Sequence, residues 1–155
     1  MMQALHRFRR LTGLERTIVL EAAAALPTTW IAMRVAGFRI CKTALTRPLS
    51  AASPGAANFA GTLASAQKVA RLEAATARAL FFRSTCLEQS LALCWMLRRR
   101  GMSPVLRVGA RKDADRLEAH AWVEIEGIAL GDAAGQHEHF VPFERDGVPA
   151  EAQIR

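Results

Sequence analysis

Three residues of this 155-residue chain have the side-chain types that nucleophilic chemistry requires: Cys86, His120 and Asp132. Cys86 lies in Thr85-Cys86-Leu87-Glu88, which fits the capping box S/T-x-x-E. Thr85 is then the N-cap, Glu88 is N3, and Cys86 is the first residue of a helix. A thiol at that position faces unpaired backbone N–H groups and the positive end of the helix dipole, which favour the thiolate. The same N–H groups are suited to hold the oxyanion of a tetrahedral intermediate. His120 sits in Ala119-His120-Ala121-Trp122-Val123-Glu124, a stretch that alternates as a strand. His120, Trp122 and Glu124 share one face, and Ala121, Val123 and Ile125 share the other, the expected core face.

A hairpin connects this strand to Asp132. With Gly127 as the left-handed residue of a three-residue loop, Ile125-Glu126-Gly127, Glu124 opposes Ile128 and His120 opposes Asp132. Directly opposed residues have Cβ atoms about 4.5–5.5 Å apart, close enough for a histidine–carboxylate hydrogen bond. A two-residue loop would put Asp132 on the other face. A thiol, an imidazole and a carboxylate in this order follow the nucleophile–base–orienter logic. Glu124 is less well placed for the orienting role, and Asp113 and Asp115 fall in a loop. The plainer reading makes Cys86 a small buried hydrophobe and His120 a strand histidine, which leaves a non-catalytic peptide-binding module. Cys41 and Cys94 read as core residues.

The elements that must hold these groups are legible in outline. Residues 1–47 read as helical, with a break or kink at Pro27. Residues 48–64 are rich in Pro, Gly, Ser and Ala and read as a loop or linker. Residues 65–155 form a helix-plus-sheet core. Its first helix, 65–82, carries Val69, Leu72, Ala75, Ala79 and Leu80 at helical spacing. Its second runs from Cys86 to Arg100 and stops at Gly101. Strands follow at 105–111, 119–125 and 128–132. The whole is one α+β domain over 1–155, with N-terminal helices followed by a small antiparallel sheet.

Composition bounds the function. Apolar residues make up 51% and charged residues 23%, an ordinary globular balance. The net charge of +7 would steer an acidic partner. The Arg98-Arg99-Arg100 run reads as a solvated helix end, or as a contact for an acidic peptide. Nucleic acid is not expected: aromatic content is only 6%, and no groove-reading motif is present. Three cysteines without CxxC spacing give neither a disulfide framework nor a zinc site, and they suit a reducing, cytoplasmic setting. His137 and His139 read as a polar loop or exposed strand; two histidines without further ligands do not make a metal site. No metal or cofactor is expected. The apolar stretch 18–40 is interrupted by Glu21, Pro27 and Arg34, so it reads as two packed helical segments. Peripheral membrane contact through it stays open.

The segment Cys86-Leu87-Glu88-Gln89-Ser90-Leu91-Ala92-Leu93, with Leu97-Arg98-Arg99-Arg100-Gly101, resembles the cysteine motif of lasso-peptide maturation proteases. So do Leu106–Arg111, Glu118-Ala119-His120-Ala121-Trp122-Val123-Glu124 and the twelve-residue step from His120 to Asp132. The resemblance is specific over 86–132 and looser over 1–82. It implies a transglutaminase/papain-like cysteine peptidase fold and a Cys86–His120–Asp132 triad. The implied activity is removal of the leader from a ribosomally made precursor peptide, before a cyclase closes the lasso ring. It also implies a stand-alone form served by a separate leader-recognition protein, with a pocket for a penultimate leader Thr. The alternative of the same fold is acyl transfer to an amine. Papain-like enzymes often place a Gln shortly before the nucleophile for the oxyanion; residues 78–85 contain none, which leaves a second donor unassigned.

Overall fold

The computed structural model describes residues 10–46, 62–113, 116–131 and 133–143. Helix α1 spans Gly13–Val35 and is opened by a capping box at Thr12. The Thr12 N–H donates to Glu15 Oε2 at 2.9 Å, and Thr12 Oγ1 accepts the Glu15 N–H at 3.3 Å. Pro27 was expected to interrupt this region; instead the helix runs through it. A proline removes its own backbone donor and crowds the carbonyl four residues back, so the surrounding bonds and packing must carry the helix past it. Thr28 Oγ1 donates to the Ala24 carbonyl at 2.7 Å, while Ala25 and Leu26 are buried and hold the turn in place. The real break is at Gly37, with φ +77°, after which α2 continues over Gly37–Thr46. By length and composition α1 is apolar enough to cross a membrane, yet it buries Ile18, Ala22, Ala25 and Leu26 within this fold.

The loop expected at 48–64 lies mostly outside the described residues. Its end is helical: Thr62 caps helix α3, Leu63–Ala79. The buried face of α3 also differs from the expected stripe. Ala66, Val69, Ala70, Glu73, Thr76 and Ala77 point inward, whereas Ala75 and Ala79 are exposed. An alanine-rich helix has apolar residues all round, so its periodicity does not fix which face is covered. Helix α4 spans Cys86–Arg98 and ends two residues earlier than expected, in a turn closed by Gly101 at φ +76°. The Met102 N–H donates back to the Leu97 carbonyl at 3.2 Å. Arg99 and Arg100 are not a solvated end: both pair with Glu21 of α1, and Arg100 also donates to the Met96 carbonyl at 2.7 Å.

Four strands make one antiparallel sheet in the order β3-β2-β1-β4. They are β1 Val105–Asp113, β2 Arg116–Ile125, β3 Ile128–Leu130 and β4 Val141–Pro142. A 3-10 helix, Ala133–His139, links β3 to β4. Ile18, Leu26, Val69, Met96, Leu97, Val123 and Leu130 form the centre of the core between the helices and one face of the sheet. On β2, Trp122 is as buried as its neighbours, although it was expected on the open face. Its ring lies 5.9 Å from His137 of the 3-10 helix and against Gly109 of β1.

The β2–β3 connection is a two-residue turn, not the three-residue loop expected. Ile125 pairs with Ile128 and Glu124 with Ala129, while Glu126 (φ +52°) and Gly127 (φ +77°) both occupy the left-handed region. In this register the ladder does not set His120 opposite Asp132. β3 ends at Leu130 and Gly131 turns the chain away at φ +69°, so ladder alternation no longer decides where the next residue points. Asp132 itself lies outside the described residues.

Candidate functional site

Cys86 owes its place to its neighbours. The Thr85 N–H donates to Glu88 Oε2 at 2.7 Å and Thr85 Oγ1 accepts the Glu88 N–H at 3.3 Å, completing the capping box read from the sequence. Glu88 is buried, and its other oxygen accepts from Arg34 Nη1 at 3.1 Å. The Arg34 guanidinium sits 3.8 Å over the Trp30 ring, so the start of α4 is fastened to the last turns of α1. Gln89 Nε2 donates to the Ser84 carbonyl at 3.1 Å and to Ser84 Oγ at 3.0 Å, which holds the approach to the helix. One turn beyond Cys86, on the same side of α4, Ser90 Oγ donates to the Ala121 carbonyl at 3.0 Å. That buried bond ties the cysteine's helix to the strand residue beside His120.

His120 faces Gly109 across the β1–β2 ladder. Its ring is 5.1 Å from Phe140 and 6.1 Å from Trp122, nearly parallel to the latter. The Arg111 guanidinium lies 5.0 Å over the nearer partner, Phe140. Glu124 does not serve His120: Oε1 accepts from Trp122 Nε1 at 2.8 Å and Oε2 from Arg107 Nε at 3.1 Å. Asp113 is exposed at the end of β1, and Asp115 lies outside the described residues.

Cys86 and His120 line one cavity of about 190 Å³, together with Glu73, Gln89, Ser90 and Gln136. A thiol and an imidazole on one cavity are the pair that nucleophilic acyl chemistry needs. Cys94 differs sharply. It is buried, and burial pushes its thiol up to about 12 against a weaker pull from Arg98, so it stays protonated and inert. Cys41 is half-buried and lines a separate apolar hollow between α1, α2 and α4. His137 and His139 belong to the 3-10 helix, not to a loop or strand. Among the described residues no cluster of three or more His, Cys, Asp or Glu is placed to hold a metal.

Glu73, Ser90 and Gln136 were not singled out by sequence. The one available signal was the spacing Ala66, Ala70, Glu73, Ala77, which sets a carboxyl inside a stripe of small residues.

Helices followed by an antiparallel sheet define an α+β protein, in which a cysteine at the first position of a capped helix and a strand histidine line one cavity. A family model for the Transglutaminase-like superfamily matches residues 22–145, and the chain belongs to that superfamily, which includes cysteine peptidases. Searches of curated proteins and of solved structures gave no match.

Proposed function

We propose that the protein is a cysteine peptidase that removes the leader from a ribosomally made lasso-peptide precursor in the cytoplasm. Cys86 is the nucleophile, His120 the base and Asp132 the group that orients the base. The observation that carries this reading is the meeting of Cys86, at the first turn of α4, with His120 of β2 on one cavity. Membership of the Transglutaminase-like superfamily supports the chemistry, and the motif resemblance over 86–132 supports the substrate.

In the proposed reaction Cys86 Sγ attacks the scissile carbonyl carbon, and His120 takes the thiol proton. Backbone N–H groups at the start of α4 steady the oxyanion. The tetrahedral intermediate collapses to a thioester, and the leaving amine takes its proton from the imidazolium. Water then attacks the thioester with His120 as base, which releases the leader carboxylate and restores the thiol. A separate leader-recognition protein would bring the precursor to the cavity, and a cyclase would take up the released core.

The test is incubation of the protein with its precursor and the leader-binding partner, read by product mass. Wild type should yield leader and core whose summed mass is that of the precursor plus one water. Cys86→Ala and His120→Ala should abolish cleavage while melting like folded proteins, and Asp132→Asn should slow it strongly. Joining of the leader to an amine without added water would indicate acyl transfer instead. Unchanged processing by all three variants would take these residues out of the chemistry and leave them structural, as in a non-catalytic binding module.

A further inference from the structure

One side chain in the cavity is used neither by packing nor by the proposed acyl chemistry. Glu73, on α3, is only 3% exposed, and its Oε1 is buried without a hydrogen-bond partner among the described residues. Buried polar atoms are usually satisfied, and one left unmet in a native fold calls for a cause. Packing does not supply it, because an apolar side chain of similar size would fill the same space without the desolvation cost. The position supplies one: Glu73 lines the cavity shared by Cys86 and His120. Its α3 neighbours Ala70 and Ala74 line the same cavity and are small, which leaves room beside the carboxyl.

The protonation state narrows the ligand. Burial pushes the Glu73 carboxyl up to about 8, outweighing the pull of Arg78, so at neutral pH it mostly keeps its proton. A neutral carboxyl offers one O–H donor and one carbonyl acceptor side by side. Apart from Glu73, Cys86 and His120, the polar side chains of the lining, Gln89, Ser90 and Gln136, are uncharged, and no Lys or Arg lines the cavity among the described residues. A cationic ligand would first have to ionise Glu73 and then sit in a chain of net charge +7. An uncharged group that both donates and accepts meets no such cost.

We propose that Glu73 is the specificity-determining residue of this cavity, hydrogen-bonding an uncharged hydroxyl or carboxamide side chain of the peptide beside the scissile bond. The assignment rests on the peptidase reading. A library of precursor peptides randomised around the scissile bond, digested by the protein together with the leader-binding partner and analysed by mass spectrometry, separates the two. Wild type should enrich one position near the cut for Ser and Thr or for Asn and Gln, and the pair that is enriched identifies the group. Glu73→Gln, which keeps a donor and an acceptor, should retain that enrichment. Glu73→Leu should still cut but lose it to the background frequency, with KM raised more than kcat falls. Unchanged selection by Glu73→Leu would overturn the assignment while leaving the peptidase reading standing. So would enrichment for Lys or Arg that Glu73→Gln removes. Absence of any Cys86-dependent cut would overturn both. An infrared difference spectrum, wild type minus Glu73→Gln at pH 7, reads the proton without turnover: a protonated-carboxyl band is expected, and carboxylate bands alone would contradict the neutral donor.

Discussion

At the scale of single residues, the position of Cys86 was readable because a capping box is a local code. Thr85 and Glu88 satisfy each other whatever else the chain does, so T-x-x-E fixed the first residue of α4. Thr85→Val removes the hydroxyl acceptor and should lower stability by about 1 kcal/mol in urea titration. Glu73 was not readable, since nothing local distinguishes a buried glutamate from a solvated one on an alanine-rich helix. The three cysteines also separate only in the folded molecule. Iodoacetamide at pH 7.5 should modify Cys86 and leave Cys94 untouched in the native protein, with peptide mapping as the readout; labelling of Cys94 at a comparable rate would contradict its burial.

At the scale of elements, types and order were legible, and edges were not. Among the described residues, long periodic segments gave four helices and three of the four strands, whereas the two-residue β4 is too short to leave a pattern. Turn geometry misled at Glu126-Gly127. A left-handed glutamate is uncommon, so the sequence favoured a loop that needs only Gly127 in that region. The fold instead sets both residues there, as a two-residue hairpin turn demands. Asparagine accepts that conformation more readily, so Glu126→Asn should raise stability by about 0.5 kcal/mol, measured by thermal unfolding. Gly109 makes the opposite point. A Cβ there would lie 2.8 Å from the Val141 carbonyl oxygen and 3.0 Å from the Trp122 ring. Gly109→Ala should therefore cost about 1–3 kcal/mol by overpacking, and because β1 supports His120 through Gly109, peptidase activity should fall with it.

At the scale of the whole molecule, the site exists because α1, α3, α4 and β2 close on one another. Glu21 holds Arg99 and Arg100, Arg34 holds Glu88, and Ser90 holds the Ala121 carbonyl; sequence separations of this size left no local trace. Burying Glu73 makes the assembled molecule sensitive to pH. The unfolded chain gives up this proton near 4.5 and the folded protein near 8. Between those values the native state holds one proton more, so stability falls as pH rises, with a slope on the order of 1.4 kcal/mol per pH unit. Arg78 lowers this carboxyl slightly, and Cys86 and His120 share its cavity, so the comparison that isolates it is wild type against Glu73→Gln. The variant should show a flatter decline in melting temperature from pH 5 to 8; parallel curves would contradict the buried neutral carboxyl. Peptidase chemistry at this site requires a covalent bond at Cys86. Precursor and protein, mixed and quenched in acid within the first turnover, should give a protein adduct of leader mass less one water. Peptide mapping should place it on Cys86, and Cys86→Ala should form none. An adduct on another residue, or cleavage by Cys86→Ala at the wild-type rate, would contradict it.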